Sequence, residues 1–249
     1  MLERFKSVCY ELLRPEQVLA IRNAAPIVYI PAGSLEWHSF QNPLGTDSLK
    51  AHAICCQAAL DFGGVVLPPF YLGLVGDDNW GPDGWRHFTL GFNQREMMNA
   101  AFAGQVKSLV TADWRVIVGV TGHDVAPQRE ALQQAIGEGT AGTSATGFAV
   151  MEGEGHTADD DLPFTMDHAG AWETSAMMYT YGDRVNLDDL RRHRVTAGED
   201  LNMADAEGIG GKDPLKYASV ELGEKIIRRM AEQIGRRARQ LLDAGGKEK

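Results

Sequence analysis

The chain is poor in cysteine, in positive charge and in long apolar runs, and each shortage excludes something. Only Cys9, Cys55 and Cys56 occur in 249 residues. The count is odd, and the adjacent Cys55 and Cys56 leave a helix on different faces, so a disulfide framework is not expected. All three read as small apolar fillers. No apolar run approaches the ~18 residues needed to span a bilayer. The segment Met1-Leu2-Glu3-Arg4-Phe5-Lys6 lacks the apolar stretch of a secretory signal. A reducing, cytoplasmic setting away from membranes is therefore the expectation. Lysine and arginine total 24 against 34 acidic residues, a net charge of -10 with no basic arm. That balance argues against nucleic acid as a partner.

What is present suits a folded catalyst of small molecules. Apolar residues make up 44% of the chain, enough to bury one core, and a single domain over 1–249 is expected. Twenty-eight glycines and ten prolines suit a site built from tight loops. Four short apolar runs, Ile27-Ile30, Val65-Leu67, Val116-Val120 and Phe148-Met151, read as buried strands. Helical spacing follows Asp47 through Leu49, Ala53, Cys56 and Leu60. It recurs over Asn93-Thr111, Ala126-Ile136, Ala171-Tyr181 and Ser219-Leu242. Gly137-Gly147 reads as a loop, and Gly153-Asp161 as an exposed acidic stretch. The arginines of the last helix, Arg228, Arg229, Arg236, Arg237 and Arg239, read as a solvated face. Strands alternating with helices imply an α/β fold, with a mainly parallel sheet covered on both faces.

Chemistry concentrates in a few segments. Gly33-Ser34-Leu35-Glu36-Trp37-His38 and Pro43-Leu44-Gly45-Thr46-Asp47 place two carboxylates and an imidazole close together in sequence, all good ligands for zinc, manganese or ferrous iron. If the backbone stays extended past Ser34, Glu36 and His38 project to the same side. The strand Val116-Val120 runs into Thr121-Gly122-His123-Asp124. Ligands in parallel sheets bind beyond the carboxyl ends of strands, which puts His123 at the same crevice. A structural hydrogen bond is the ordinary role of such a histidine. Asp167-His168-Ala169-Gly170-Ala171-Trp172-Glu173-Thr174-Ser175 is a second dense cluster. Asp167 also suits a helix N-cap, and Glu173 suits the dipole of an early helical turn. Gly76-Leu90, with Trp80, Trp85, Arg86 and His87, fits a substrate-facing loop or an ordinary packed one.

These motifs resemble the creatininase (creatinine amidohydrolase) family. Its segment G-S-x-E-Q-H-G-P-H-L-P-L-G-T-D is matched without a gap from Gly33 to Asp47. Its N-G-H-G-G-N turn resembles Thr121-Ala126, and its H-A-G-x-x-E-T-S segment matches His168-Ser175. Thr89-Leu90 falls where a G-T-L stretch belongs. Gly210-Pro214 with Ala218-Ser219 resembles a late G-D-P turn. The resemblance runs from about residue 25 to 235. It implies a three-layer α/β/α sandwich, assembled as a homo-oligomer, often a hexamer. It implies one or two divalent metal ions per chain, zinc, manganese or iron, on Glu36, His38, Asp47 and His123. Asp47 would bridge two ions, and a bound ion lowers the pKa of water towards ~7. His168 and Glu173 would handle protons or hold the substrate. Trp37, Gln41, Trp80, Trp85, Asp124 and Trp172 would contact the substrate.

Four departures mark the chain. Val125 stands where creatininase itself has a metal-binding glutamate, so a second ion would borrow Asp124 or Glu173, or be absent. Gln41 replaces the second loop histidine, Phe40 a proline and Trp37 a glutamine. The resemblance thus implies a hydrolase of a small polar, cyclic amide or formamide other than creatinine. Hydrolytic C–C cleavage of a cyclic diketone of the dehydro-inosose type is an alternative, and a non-catalytic scaffold is another. Asp47→Ala is expected to lose the metal bound by Glu36, His38, Asp47 and His123 and activity together while the fold persists, checked by elemental analysis and circular dichroism. Unchanged metal content would refute the assignment.

Overall fold

The apolar run at Ile27 forms a fully buried strand, β1 (Ile27–Ala32). It lies between β2 (Val65–Val66) and β3 (Val116–Thr121), with β4 (Thr146–Met151) beyond β3. The sheet order is β2-β1-β3-β4 and every pairing in it is parallel. Ile27 pairs with Val116 and Ala32 with Thr121, so β1 and β3 end at the same level. The computed structural model describes residues 1–75 and 88–245.

Strands that are apolar throughout, rather than alternating, need cover on both faces. On one face α2 (Thr46–Phe62), α5 (Ala171–Tyr181) and α8 (Val220–Gly245) pack over Ile27, Tyr29, Val118 and Val120. On the other, α3 (Arg95–Thr111) and α4 (Ala126–Thr140) cover Val28, Ile30 and Ile117, joined by α1 (Pro15–Ala24) through Val18 and Ile21. The result is a three-layer α/β/α sandwich, with the covered parallel sheet that the strand–helix alternation implied and the three layers that the family resemblance implied. A smaller cluster of Ala169, Leu190, Leu201 and Ile209 gathers the remaining short elements beside the sheet's carboxyl edge. These are α6 (Leu187–His193), the antiparallel pair β5 (Asp200–Leu201) and β6 (Gly211–Lys212), and α7 (Pro214–Tyr217).

Tertiary packing shifts some boundaries. The stretch from Gly137, read as a loop, continues α4 to Thr140, and β4 then starts at Thr146. Packing of α4 along α3 carries the helix past two glycines that local propensity disfavours. On α8, Arg228, Arg236 and Arg239 pair with Glu224, Glu232 and Asp243 one turn away, as a solvated face does. Arg237 instead lies 3.9 Å over the Phe148 ring. Among the described residues no helix is long and apolar enough to cross a membrane.

Ile117 sits in the middle of β3 with no exposed surface. Ile117→Ala is expected to cost roughly 2–5 kcal/mol, from lost transfer energy plus the cavity left behind. The shift of a urea unfolding midpoint measures it, and a loss under about 1 kcal/mol would contradict this packing.

Candidate metal centre

The level ends of β1 and β3 create a floor, and the first turn of α2 is laid across it. Two glycines make that approach possible. A Cβ on Gly33 would lie 2.6 Å from the Asp47 Cβ, and one on Gly122 would lie 2.2 Å from the Asp47 carbonyl oxygen. Asp47 is thereby buried at the helix N-terminus, where the macrodipole favours a carboxylate. The backbone after β1 is irregular, with one bridge from Leu35 to Leu90. Glu36 and His38 nevertheless converge, with His38 Nε2 3.9 Å from Glu36 Oε1.

Asp47 presents its two oxygens to different partners. Oδ1 is 2.9 Å from His38 Nε2, while Oδ2 is 3.2 Å from His123 Nδ1 and accepts from Ser34 Oγ at 2.7 Å. Glu36 Oε1 is also 3.2 Å from His123 Nδ1, and Glu173 Oε2 is 3.3 Å from His38 Nε2. Two buried donor groups result, Glu36–Asp47–His123 and His38–Asp47–Glu173, each with its ligand atoms within 4.8 Å of one another. Asp47 belongs to both. Backbone carbonyls orient the imidazoles: His38 Nδ1 donates to Glu36 O at 3.2 Å, and His123 Nε2 donates to Leu74 O at 2.9 Å. The opposite ring nitrogens therefore face the carboxylates, the usual preparation of a metal-binding histidine. His168 Nε2 donates to the Trp37 carbonyl at 2.9 Å, which leaves Nδ1 3.8 Å from Glu36 Oε1.

Charge at this site is balanced by protons. Burial opposes a charged His38, but Asp47, Glu173 and Glu36 outweigh it and raise its pKa to about 9. Burial likewise opposes a charged His123, and hydrogen bonds and charge from Asp47 and Glu36 raise it to about 10. Burial would raise Asp47, yet the two imidazoles hold it well below the usual carboxylate range. His168 differs, because burial and the neighbouring His38 lower its pKa and keep it neutral. Without a metal, two imidazolium protons thus stand where cations would neutralise three carboxylates. An oxygen- and imidazole-rich donor set of this kind fits zinc, manganese or iron.

Glu173 is held from behind by a residue that sequence reading did not single out. Lys50, one turn after Asp47 on α2, is fully buried and pairs with Glu173 Oε1 and with Glu152 Oε1, the latter at 2.7 Å. Glu152 follows β4, and burial raises its pKa to about 8 against the pull of Lys50. The only sequence signal for Lys50 was its i+3 spacing from Asp47, which puts both on one helix face. Ala169 N–H donates to Glu173 Oε2 at 2.7 Å. Asp167 is not the N-cap of α5, a place held by Gly170, but from three residues earlier it accepts from the backbone N–H groups of Trp172 and Glu173 in the first turn.

The substrate-contact expectations divide. Asp124 is exposed and lines a cavity of about 680 Å³ above the centre, together with Val125, Met166 and Met203. Trp172 does not line it. Its side chain is fully buried in the core beneath α5, so substrate contact is corrected to packing. Trp37 and Gln41 are also buried away from the cavity wall. Trp37 Nε1 donates to Glu207 O at 3.2 Å, and Gln41 Nε2 donates to Ala169 O at 2.7 Å, tying the loop to the start of α5. Trp80 and Trp85 lie outside the described residues.

An α/β/α sandwich with a carboxylate–imidazole centre at the carboxyl edge of its sheet is the class defined so far. The family model for creatininase, creatinine amidohydrolase, matches residues 11–237, and the chain belongs to that family. The solved structure of creatinine amidohydrolase (creatininase) superposes with a TM-score of 0.76 at 20% identity, covering 94% of this chain and 98% of that one. A variant creatininase in a zinc–zinc form matches at 0.74 and 21%, covering 94% and 97%. A manganese form matches at 0.72 and 18%, covering 94% and 98%. At these identities the likeness is one of fold. A mycofactocin precursor peptide peptidase from Mycolicibacterium smegmatis is 27% identical over 179 residues, 68% of this chain. The match spans 64% of that relative's length.

The raised histidines predict linked protonation. Their stabilising charge is fully present below the unfolded pKa of about 6.5 and is lost as pH rises through about 9 to 10. The metal-free protein should therefore lose stability across that window. Near pH 8, zinc binding should release protons, seen as a binding heat that depends on the buffer's ionisation enthalpy. A heat independent of buffer would reject the protonated centre.

Proposed function

We propose that this chain is a metal-dependent hydrolase that cleaves an amide C–N bond in a small polar, cyclic substrate. The observation that carries this reading is the pair of buried donor groups sharing Asp47. Glu36, Asp47 and His123 would hold one divalent ion, and His38, Asp47 and Glu173 a second. Glu173 then supplies the ligand that Val125 does not, and Asp124, exposed at the cavity wall, is left to the substrate. Bound ions would supply Lewis acidity towards the substrate carbonyl and a nucleophile at neutral pH.

The chain's own residues do the rest. Lys50 and the Ala169 N–H fix the Glu173 carboxylate, so its orientation is set before substrate arrives. His168 is neutral, and its Nδ1 faces the centre with a free lone pair. It takes a proton from the attacking water and returns it to the leaving nitrogen, a role suited to an imidazole kept uncharged by burial. The domain acts as one unit over 1–249 and assembles as a homo-oligomer, a hexamer by family resemblance, in the cytoplasm.

A second reading keeps the chemistry and enlarges the substrate to a peptide amide. The cavity's volume and its apolar wall of Leu74, Val75, Pro127, Met166 and Met203 favour it. The similarity to a peptide peptidase favours it as well. A panel of cyclic amides, formamides, cyclic diketones and short peptides, followed by proton release, separates the readings.

Glu173→Gln is expected to remove one of the two ions held at the Asp47 centre and to lower turnover at least a hundredfold, about 2.7 kcal/mol of transition-state stabilisation. Elemental analysis beside kinetics checks it. Full metal content with turnover lost would make Glu173 a proton carrier instead. A wild-type protein that retains no metal, and gains no activity from zinc or manganese, would end the hydrolase reading.

A further inference from the structure

A second cluster of metal-binding atoms lies away from the carboxylate centre. Cys9 Sγ is 3.6 Å from His52 Nε2 and 3.8 Å from Cys56 Sγ, and Cys56 Sγ is 3.5 Å from His52 Nε2. All three side chains are buried, and their ligand atoms lie within 4.8 Å of one another. These separations match the edges of a tetrahedron around zinc. Zn–S bonds of about 2.3 Å and Zn–N bonds of about 2.05 Å give S···S edges of about 3.8 Å and S···N edges of about 3.6 Å.

The local structure supports the match at each ligand. His52 and Cys56 are four residues apart on α2, which places them on one helix face a turn apart. His52 Nδ1 lies 3.4 Å from Tyr181 Oη, so the ring can donate there and turn Nε2 to the thiols. An outer partner of this kind commonly orients a metal-bound histidine. Cys9 comes from a separate part of the chain, between the short turns Glu3–Ser7 and Tyr10–Leu12. Its neighbour Val8 accepts a backbone bond from Val66 at 2.9 Å, which sets the segment alongside β2. Cys55, the third cysteine, is buried without a place in the cluster and remains a filler.

We propose that Cys9, His52 and Cys56 form a zinc site that clamps the N-terminal segment to α2. Two thiolates and an imidazole suit zinc over magnesium or calcium. Both thiols lose their protons to bind, and the S–H bond from Cys9 to the Phe5 carbonyl, 3.2 Å, is given up. The site is independent of the Asp47 centre, which contains no sulfur.

That difference supplies the test. The full chain, kept reduced and stripped with a chelator, is titrated with cobalt(II) as a spectroscopic stand-in for zinc. The titration should produce an intense near-ultraviolet thiolate-to-cobalt band with tetrahedral visible bands, saturating at one thiolate-bound cobalt per chain, and added zinc should bleach both. Cys9→Ser and Cys56→Ser should each abolish the charge-transfer band, while Cys55→Ser and Asp47→Ala keep it. Zinc should raise the unfolding temperature more in Asp47→Ala than in an Asp47→Ala variant that also carries Cys9→Ser. Absence of the thiolate band in wild-type protein overturns the proposal whatever the variants do. So does a band that survives in Cys9→Ser or Cys56→Ser. Neither result bears on activity at the Asp47 centre, so the two readings fail separately.

Discussion

A carboxylate buried beneath two strand ends persists only if positive charge meets it there, because an unpaired buried charge costs several kcal/mol. Asp47 is in that position. Gly33 and Gly122 let α2 descend far enough to bury it, and His38, His123 and the Ser34 hydroxyl then meet its two oxygens. The rest of the site follows from this burial. The irregular loop after β1 must turn Glu36 and His38 inward, and β3 must end level with β1 to deliver His123.

A second layer of charge keeps the first in place. Lys50 joins α2 to α5 through Glu173 and to the end of β4 through Glu152. One buried ammonium therefore ties three elements to the underside of the centre. Such networks are costly to bury, and a merely stable fold would do as well with apolar residues. Lys50, Glu152 and Glu173 thus fix the geometry of the carboxylates above them. The α2 helix contributes at two levels, with Asp47 in its first turn and Lys50 a turn later at the centre, and His52 and Cys56 further along.

Much of the architecture was legible in the sequence, for a definable reason. Apolar runs bounded by glycine and proline identify buried parallel strands, and all four fell within two residues of the observed ends. Helix boundaries were less secure where tertiary contacts overrode propensity, as in the extension of α4 through Gly137 and Gly139. Ligand types and their motifs were also legible, since metal chemistry restricts which side chains can serve. Aromatic residues were not. Trp172 and Trp37 sit beside motif residues yet point into packing, because a one-residue step along a helix or turn redirects a side chain by a large angle.

The sequence by itself determined the layered α/β fold, because strand periodicity is a local property, and its motifs carried the family resemblance that singled out Glu36, His38, Asp47 and His123 as candidate donors. Only the tertiary structure decided that Glu173, and not Asp124, meets His38 and Asp47. It also decided that Lys50 lies beneath them, and that Cys9 reaches His52 and Cys56 across the chain. These are contacts between residues up to 135 positions apart, from His38 to Glu173 (173 − 38). They arise from how helices cross the sheet, and no spacing along the chain encodes that crossing.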